Sequence, residues 1–240
     1  KKPISARLGD VVKNGDLITT QANGKALLIT KSGDQFYAAS SSSLKFEPSP
    51  PNNSKLSLFY GKLRTIFSST DKDRKLQVKS GTAVMGVRGT DFSVDHDDKA
   101  KATEVTVVRG AIDMANDKKP AAVVNSGETA KSDGKSTQVA KAAEEQFSKI
   151  KGISNIAKPA QDALPADMMS GLNGIETKAA ESSTKDIKKY VPGFDPGKLG
   201  IPAGNLDSIN NAAMDLLTKA LPAVPGMDKL KGGAPNLQDA

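Results

Sequence analysis

The chain has 240 residues, 37% of them apolar and only 4% aromatic, with no Cys, no Trp, one His and a formal net charge of +7. That is lean for a single compact core of this length, and the missing cysteines exclude disulfides, thiolate catalysis and cysteine metal sites. The basic excess lies before Ser136, where 22 Lys/Arg face 15 Asp/Glu; scattered as it is, it permits attraction to an anionic cell-wall polymer or lipid head groups and gives no nucleic-acid reader.

Residues 9–131 read as short strands separated by turn chemistry. Gly9–Val12 leads through Asn14-Gly15 into Asp16–Thr20, and Asn23-Gly24 turns into Lys25–Thr30. Asn-Gly pairs suit tight hairpins, whose central residues need positive φ. Ser32-Gly33-Asp34 precedes Gln35–Ala38, and Leu44-Lys45-Phe46 alternates one face in and one out. The proline-bearing stretch Glu47–Ser54 is a predicted loop. Strand signals resume at Leu56–Tyr60, Lys62–Phe67, Leu76–Val78, Ala83–Val87 and Phe92–Val94, then at Val105–Val108, Ala111–Met114, Ala121–Val124 and Glu128–Ala130. Seven of the ten aromatics fall in the first hundred residues, so the packed core is expected there.

The pattern changes near Ser136. Val139, Ala143, Phe147 and Ile150 keep helical spacing over Thr137–Lys151, with Gly152 as the cap. A weaker helix is predicted over Leu172–Tyr190, and an extended Pro/Gly connector over Val191–Gly204. A second amphipathic helix then places Leu206, Ile209, Ala213, Leu216, Leu217 and Ala220 on one stripe, ended by Pro222. The last residues are Gly/Pro-rich and are expected to have no structure of their own. The expected division is therefore a β domain over 1–135 and a helical, extended tail over 136–240.

The segment Gly9–Thr129 resembles the FecR domain family. The opening runs Gly9-x-x-Val12-x-x-Gly15-Asp16-x-Ile18-x-Thr20, then Asn23-Gly24-x-Ala26-x-Leu28 and Gly33-Asp34. The more specific signature is Thr82–Val94, containing Gly86, Val87, Arg88, Gly89, Thr90 and Phe92, followed by Thr103-x-Val105-x-Val107-x-x-Gly110-x-Ile112 and Gly127-Glu128. The resemblance implies an all-β bacterial domain outside the cytoplasm, of short and mostly antiparallel strands forming a roll, sandwich or solenoid-like body, with no catalytic apparatus. In its namesake context the domain relays the state of an outer-membrane receptor to a sigma factor. The tail lacks the companion domain that such regulators often carry.

The candidate sites divide between function and plain structure. Arg88 has the chemistry to hold a carboxylate or phosphate bidentately; against that stands a structural reading in which Gly89 permits a turn, Thr90 bonds locally and Arg88 pairs with a neighbour such as Asp91. Asp95-His96-Asp97-Asp98 lacks the ligand set for zinc or calcium and is read as a solvated hairpin tip. His96, the only histidine, would there be too loosely held to serve a Ser-His-Asp triad. No catalytic, cofactor or metal residues are therefore assigned. The stripe of Leu206, Ile209, Ala213, Leu216 and Leu217 either packs within the chain or docks on a partner, and the two weigh about evenly.

The reading is a non-enzymatic envelope protein of the bacterial periplasm, a binding or scaffolding component that meets other envelope proteins in a multi-subunit assembly. The alternative is the periplasmic sensor segment of a FecR-type transmembrane signalling protein. No stretch reaches the roughly 18 apolar residues that span a bilayer. The start at Lys1 is read as the cut left by a signal peptide or by other upstream chain, a transmembrane helix included.

Overall fold

The computed structural model describes residues 3–50, 52–67, 74–116, 119–154, 177–178, 180–185 and 187–220. Thirteen strands come first: β1 (Leu17–Thr19), β2 (Ala26–Ile29), β3 (Gln35–Ala38), β4 (Ser43–Glu47), β5 (Asn53–Ile66), β6 (Lys75–Ser80), β7 (Ala83–Val87), β8 (Asp91–Asp97), β9 (Ala102–Arg109), β10 (Ala111–Asn116), β11 (Lys119–Asn125), β12 (Glu128–Ser132) and β13 (Thr137–Lys141). Helix α1 (Glu144–Ser154) follows, then the helical residues 177–178, 180–185 and 187–190, a 3-10 turn at Gly197–Leu199, and helix α2 (Leu206–Ala220).

The strands form two sheets that share β5. Residues 53–60 of β5 pair with β4 and β6, giving a first sheet in the order β1-β4-β5-β6-β7-β10-β11. Residues 61–66 pair with β3 and β8, giving a second sheet in the order β2-β3-β5-β8-β9-β12-β13. Every ladder is antiparallel except β5 with β6. The crossover sits at Gly61, whose φ of 91° suits glycine and little else. A side chain there would also strike the Ser41 carbonyl oxygen and the Ser42 backbone, each at 2.6 Å.

Alternation then decides the layers. Leu56, Leu58, Val78, Met85 and Ile112 of the first sheet face Phe36, Leu63, Phe92, Val94 and Val107 of the second across one core. Phe36 and Phe46 close one part of it edge to face, ring centroids 5.1 Å apart. The body is a two-layered, mostly antiparallel β roll, one of the three all-β forms left open by the sequence.

Several local expectations change. Gly9–Val12 is not a strand: the Asp10 and Asp16 carboxylates accept from the Arg7 and Lys13 amides at 2.7 and 2.9 Å, and these local turns take the bonding that a ladder would use. Leu56–Tyr60 and Lys62–Ile66 belong to one strand rather than two, and Phe67 lies just past its end. Thr137–Lys141 is a strand and not the first turn of a helix, because β12 offers it a complete antiparallel partner; β structure thus continues past Lys135 to Lys141. Val191–Gly204 carries the 3-10 turn with Gly200 at φ 69°. Of the predicted Leu172–Tyr190 helix, residues 172–176 lie outside the described residues, as do Pro222 and the Gly/Pro-rich end.

Candidate functional site

The outward face of the second sheet is polar and nevertheless buried. Arg64 stands opposite Tyr37 on β3 and Ser93 on β8, with its side chain fully covered. Its Nε and Nη2 donate to the two carboxylate oxygens of Asp91 at 3.0 and 2.8 Å, and its Nη1 donates to Ser154 Oγ at the end of α1, 2.6 Å away. Burial alone would pull the guanidinium pKa down; the Asp91 charge and hydrogen bonds outweigh it and raise the value. The bidentate fork is what makes a charge tolerable here.

Beside it, Gln35 and Tyr37 receive the other helices. Gln35 Nε2 donates to Ser183 Oγ at 2.8 Å. Asn210 Nδ2 on α2 reaches Gln35 Oε1 at 2.7 Å and Tyr37 Oη at 3.2 Å, while the Tyr37 hydroxyl donates to Gln35 Oε1 at 3.1 Å. Burial, and next the Asp207 carboxylate, push the Tyr37 phenol well above its usual value. Each helical element therefore has one polar anchor on this sheet. Apolar contacts complete the cover: Ile153 on Tyr37 and Ile66, and Phe147, Ile150, Met214 and Leu217 on Val108. Arg109 lies over the Tyr190 ring at 5.5 Å, and Lys151 of α1 pairs with Asp215 of α2.

The outward face of the first sheet is open. The ladders place Lys45, Ser57, Lys79, Val84 and Ala115 in one row, and Glu47, Lys55, Gln77, Gly86, Asp113 and Val123 in the next. Lys55, Lys75, Lys79 and Val123 are exposed. Asp113, only 7% exposed beside Gly86, has its carboxyl raised above the usual range by burial.

Residues 16–113 match the family model described as FecR protein. The chain carries a FecR domain. Two crystal structures of a candidate anti-sigma factor from Parabacteroides distasonis ATCC 8503 share its fold, each with a TM-score of 0.50 and 11% identity over 58% of this chain. The chain spans 65% of the length of those proteins, and at that identity the likeness is one of fold. No curated protein matches the sequence.

Within the FecR domain the signature residues take structural places. Val87 and Phe92 are core residues, and Gly86 lies between Gln77 and Asp113. Gly89 has φ 59°, and Thr90 Oγ1 sits 3.0 Å from both the Arg88 and Ala111 carbonyl oxygens, tying the turn to β10. Arg88 is exposed and does not pair with Asp91, as the sequence suggested; Arg64 holds that carboxylate with both oxygens. His96 is likewise no part of a solvated tip. It is buried in β8, its Nδ1 3.1 Å from Ala102 O and 3.0 Å from Thr103 Oγ1, and Gly81 leaves room for its ring. Of the four residues Asp95–Asp98, only Asp97 and Asp98 are exposed. Among the described residues no group of three His, Asp or Glu side chains is placed to hold a metal ion.

Of the α2 stripe, Ile209 and Ala213 pack with Ala180, Ile187 and Phe194, Leu216 lies partly buried against that cluster, and Leu217 joins the cluster on Val108. The side chain of Leu206 lies outside the described residues. The geometry uses the stripe inside the chain. Sequence reasoning missed Gln35, Tyr37, Arg64, Asp91 and Asn210; the one available signal was an arginine at an alternate position of an apolar strand.

Proposed function

We propose that this chain is the extracytoplasmic sensor segment of a FecR-type signalling protein, which binds a protein partner outside the cytoplasm and regulates a sigma factor. The observation that carries the reading is the FecR domain at residues 16–113. The fold it shares with a candidate anti-sigma factor adds support. No helix among the described residues is long and apolar enough to cross a membrane, so the reading requires a membrane link elsewhere in the whole protein. A scaffolding role in a larger envelope assembly would use the same domain and gains no separate observation.

In the host bacterium, deletion of the whole gene is expected to change a discrete set of transcripts that depend on one sigma factor. Expression of the intact gene should restore them. An unchanged transcript profile accompanied by loss of an envelope complex would instead favour the scaffold.

A further inference from the structure

The two sheets treat their exposed cations differently. On the second sheet Lys62 meets Asp95 at 2.8 Å and Lys131 meets Glu104 at 2.9 Å, leaving Lys141 at its edge as the exposed cation with no ion pair among the described residues. On the first, Lys45 is matched by Glu47 at 3.0 Å, but Lys55, Lys75, Lys79 and Arg88 have no ion pair among the described residues. Lys55 stands opposite Gln77, so Lys75 and Lys79 flank it two residues either side on the neighbouring strand. The β6–β7 register, carried one residue beyond Leu76 and Val87, sets Arg88 beside Lys75. Like charges on adjacent strands repel; of the two acids on this face, Glu47 stands opposite Lys55 but pairs with Lys45, and Asp113 is nearly covered.

The patch is also bordered by apolar side chains. The cavity lined by residues 177–209 and the one lined by residues of β5, β8, β9 and α1 both lie away from it. Leu17 and Phe59 are 61% and 44% exposed at the β1 and β5 side of the same sheet. Unpaired cations beside exposed apolar groups complement an anionic membrane surface, where lipid head groups meet the charges and the acyl boundary takes the apolar side chains.

We infer that the outer face of the first sheet docks on a membrane surface rich in anionic lipid. The inference does not depend on the signalling role, because it concerns the chain alone with lipid.

The test is sedimentation of the full chain with phosphatidylglycerol-containing vesicles and with pure phosphatidylcholine vesicles. Binding is expected to the first, to fall with added salt, and to be absent from the second. Each cation near such a surface strengthens binding roughly fivefold, so K55Q combined with K79Q should weaken it by at least about tenfold. K62Q combined with K131Q removes the same charge from the second sheet and should leave binding nearly intact. F59Q should weaken it to a lesser degree. Equal loss in the two double variants would overturn the inference, as would equal binding to both vesicle types. Absence of binding to either would also overturn it and leave an acidic protein surface as the occupant of this face.

Discussion

Strand β5 supplies outward side chains to both faces of the FecR domain, and the two halves show what surroundings do to the same residue class. In the first half Lys55 points into solvent beside Ser57 and Gln77, and nothing in the described chain covers it. In the second half Arg64 occupies an equivalent outward position, yet three helical elements cover its face, Asp91 matches its charge and Ser154 accepts a further hydrogen bond from it. An outward cation on the open sheet is a surface feature. On the covered sheet it is a structural commitment, since an unpaired buried charge costs several kcal/mol.

The largest expected effect tests that contrast at Arg64. Arg64→Met would strand the Asp91 carboxylate beneath the helices and should lower stability by about 3–5 kcal/mol in urea unfolding. Pairing it with Asp91→Leu should recover most of the loss. A loss below about 1 kcal/mol for the single variant would show that the covered face tolerates a lone charge as the open one does.

Between the two halves lies the crossover. Gly61→Ala should cost about 1–3 kcal/mol from the positive φ alone, and the contacts with Ser41 and Ser42 add to it. A thermal melt unchanged from the parent would mean that β5 passes between the sheets by some other geometry.

The smallest effect belongs to the open face. Burial holds the Asp113 carboxyl above its usual range, so the folded state favours its protonated form. That contribution is present at acid pH below the ordinary Asp value and is lost as pH rises through the raised folded value. Asp113→Asn should therefore stabilise the chain by about 0.5 kcal/mol at neutral pH. The gain should vanish when both proteins are melted below the ordinary Asp range. A gain independent of pH would point to packing instead.

How much of this was legible in the sequence follows the same division. Turn pairs such as Asn14-Gly15 and the Thr82–Val94 signature located most strands and the family, because local backbone chemistry is written locally. Gly61 looked like a break between two strands, since no local signal says that the strand continues in another sheet. Val139, Ala143 and Phe147 kept helical spacing, but the open edge of β12 draws Thr137–Lys141 into the sheet. The covered face was illegible for a stronger reason. Nothing local marks Gln35, Tyr37 and Arg64 as a buried polar set, because their partners Ser183, Asn210 and Ser154 arrive from more than 80 residues away. The α2 stripe could be read as a docking arm for the same reason: the apolar residues that receive it, Val108, Ala180, Ile187 and Phe194, are scattered along the chain and form no groove visible in the sequence.

Hydrogen exchange on the isolated full chain, with no partner and no lipid, tests the covered face most directly. The account predicts that amides of residues 209–217 are protected to a degree comparable with β3 and the second half of β5, because they open only when the Asn210 anchors at Gln35 and Tyr37 release. Exchange in that helix as fast as in residues 3–16 would contradict it, and would return the stripe of Ile209, Ala213, Leu216 and Leu217 to the role of an arm awaiting a partner.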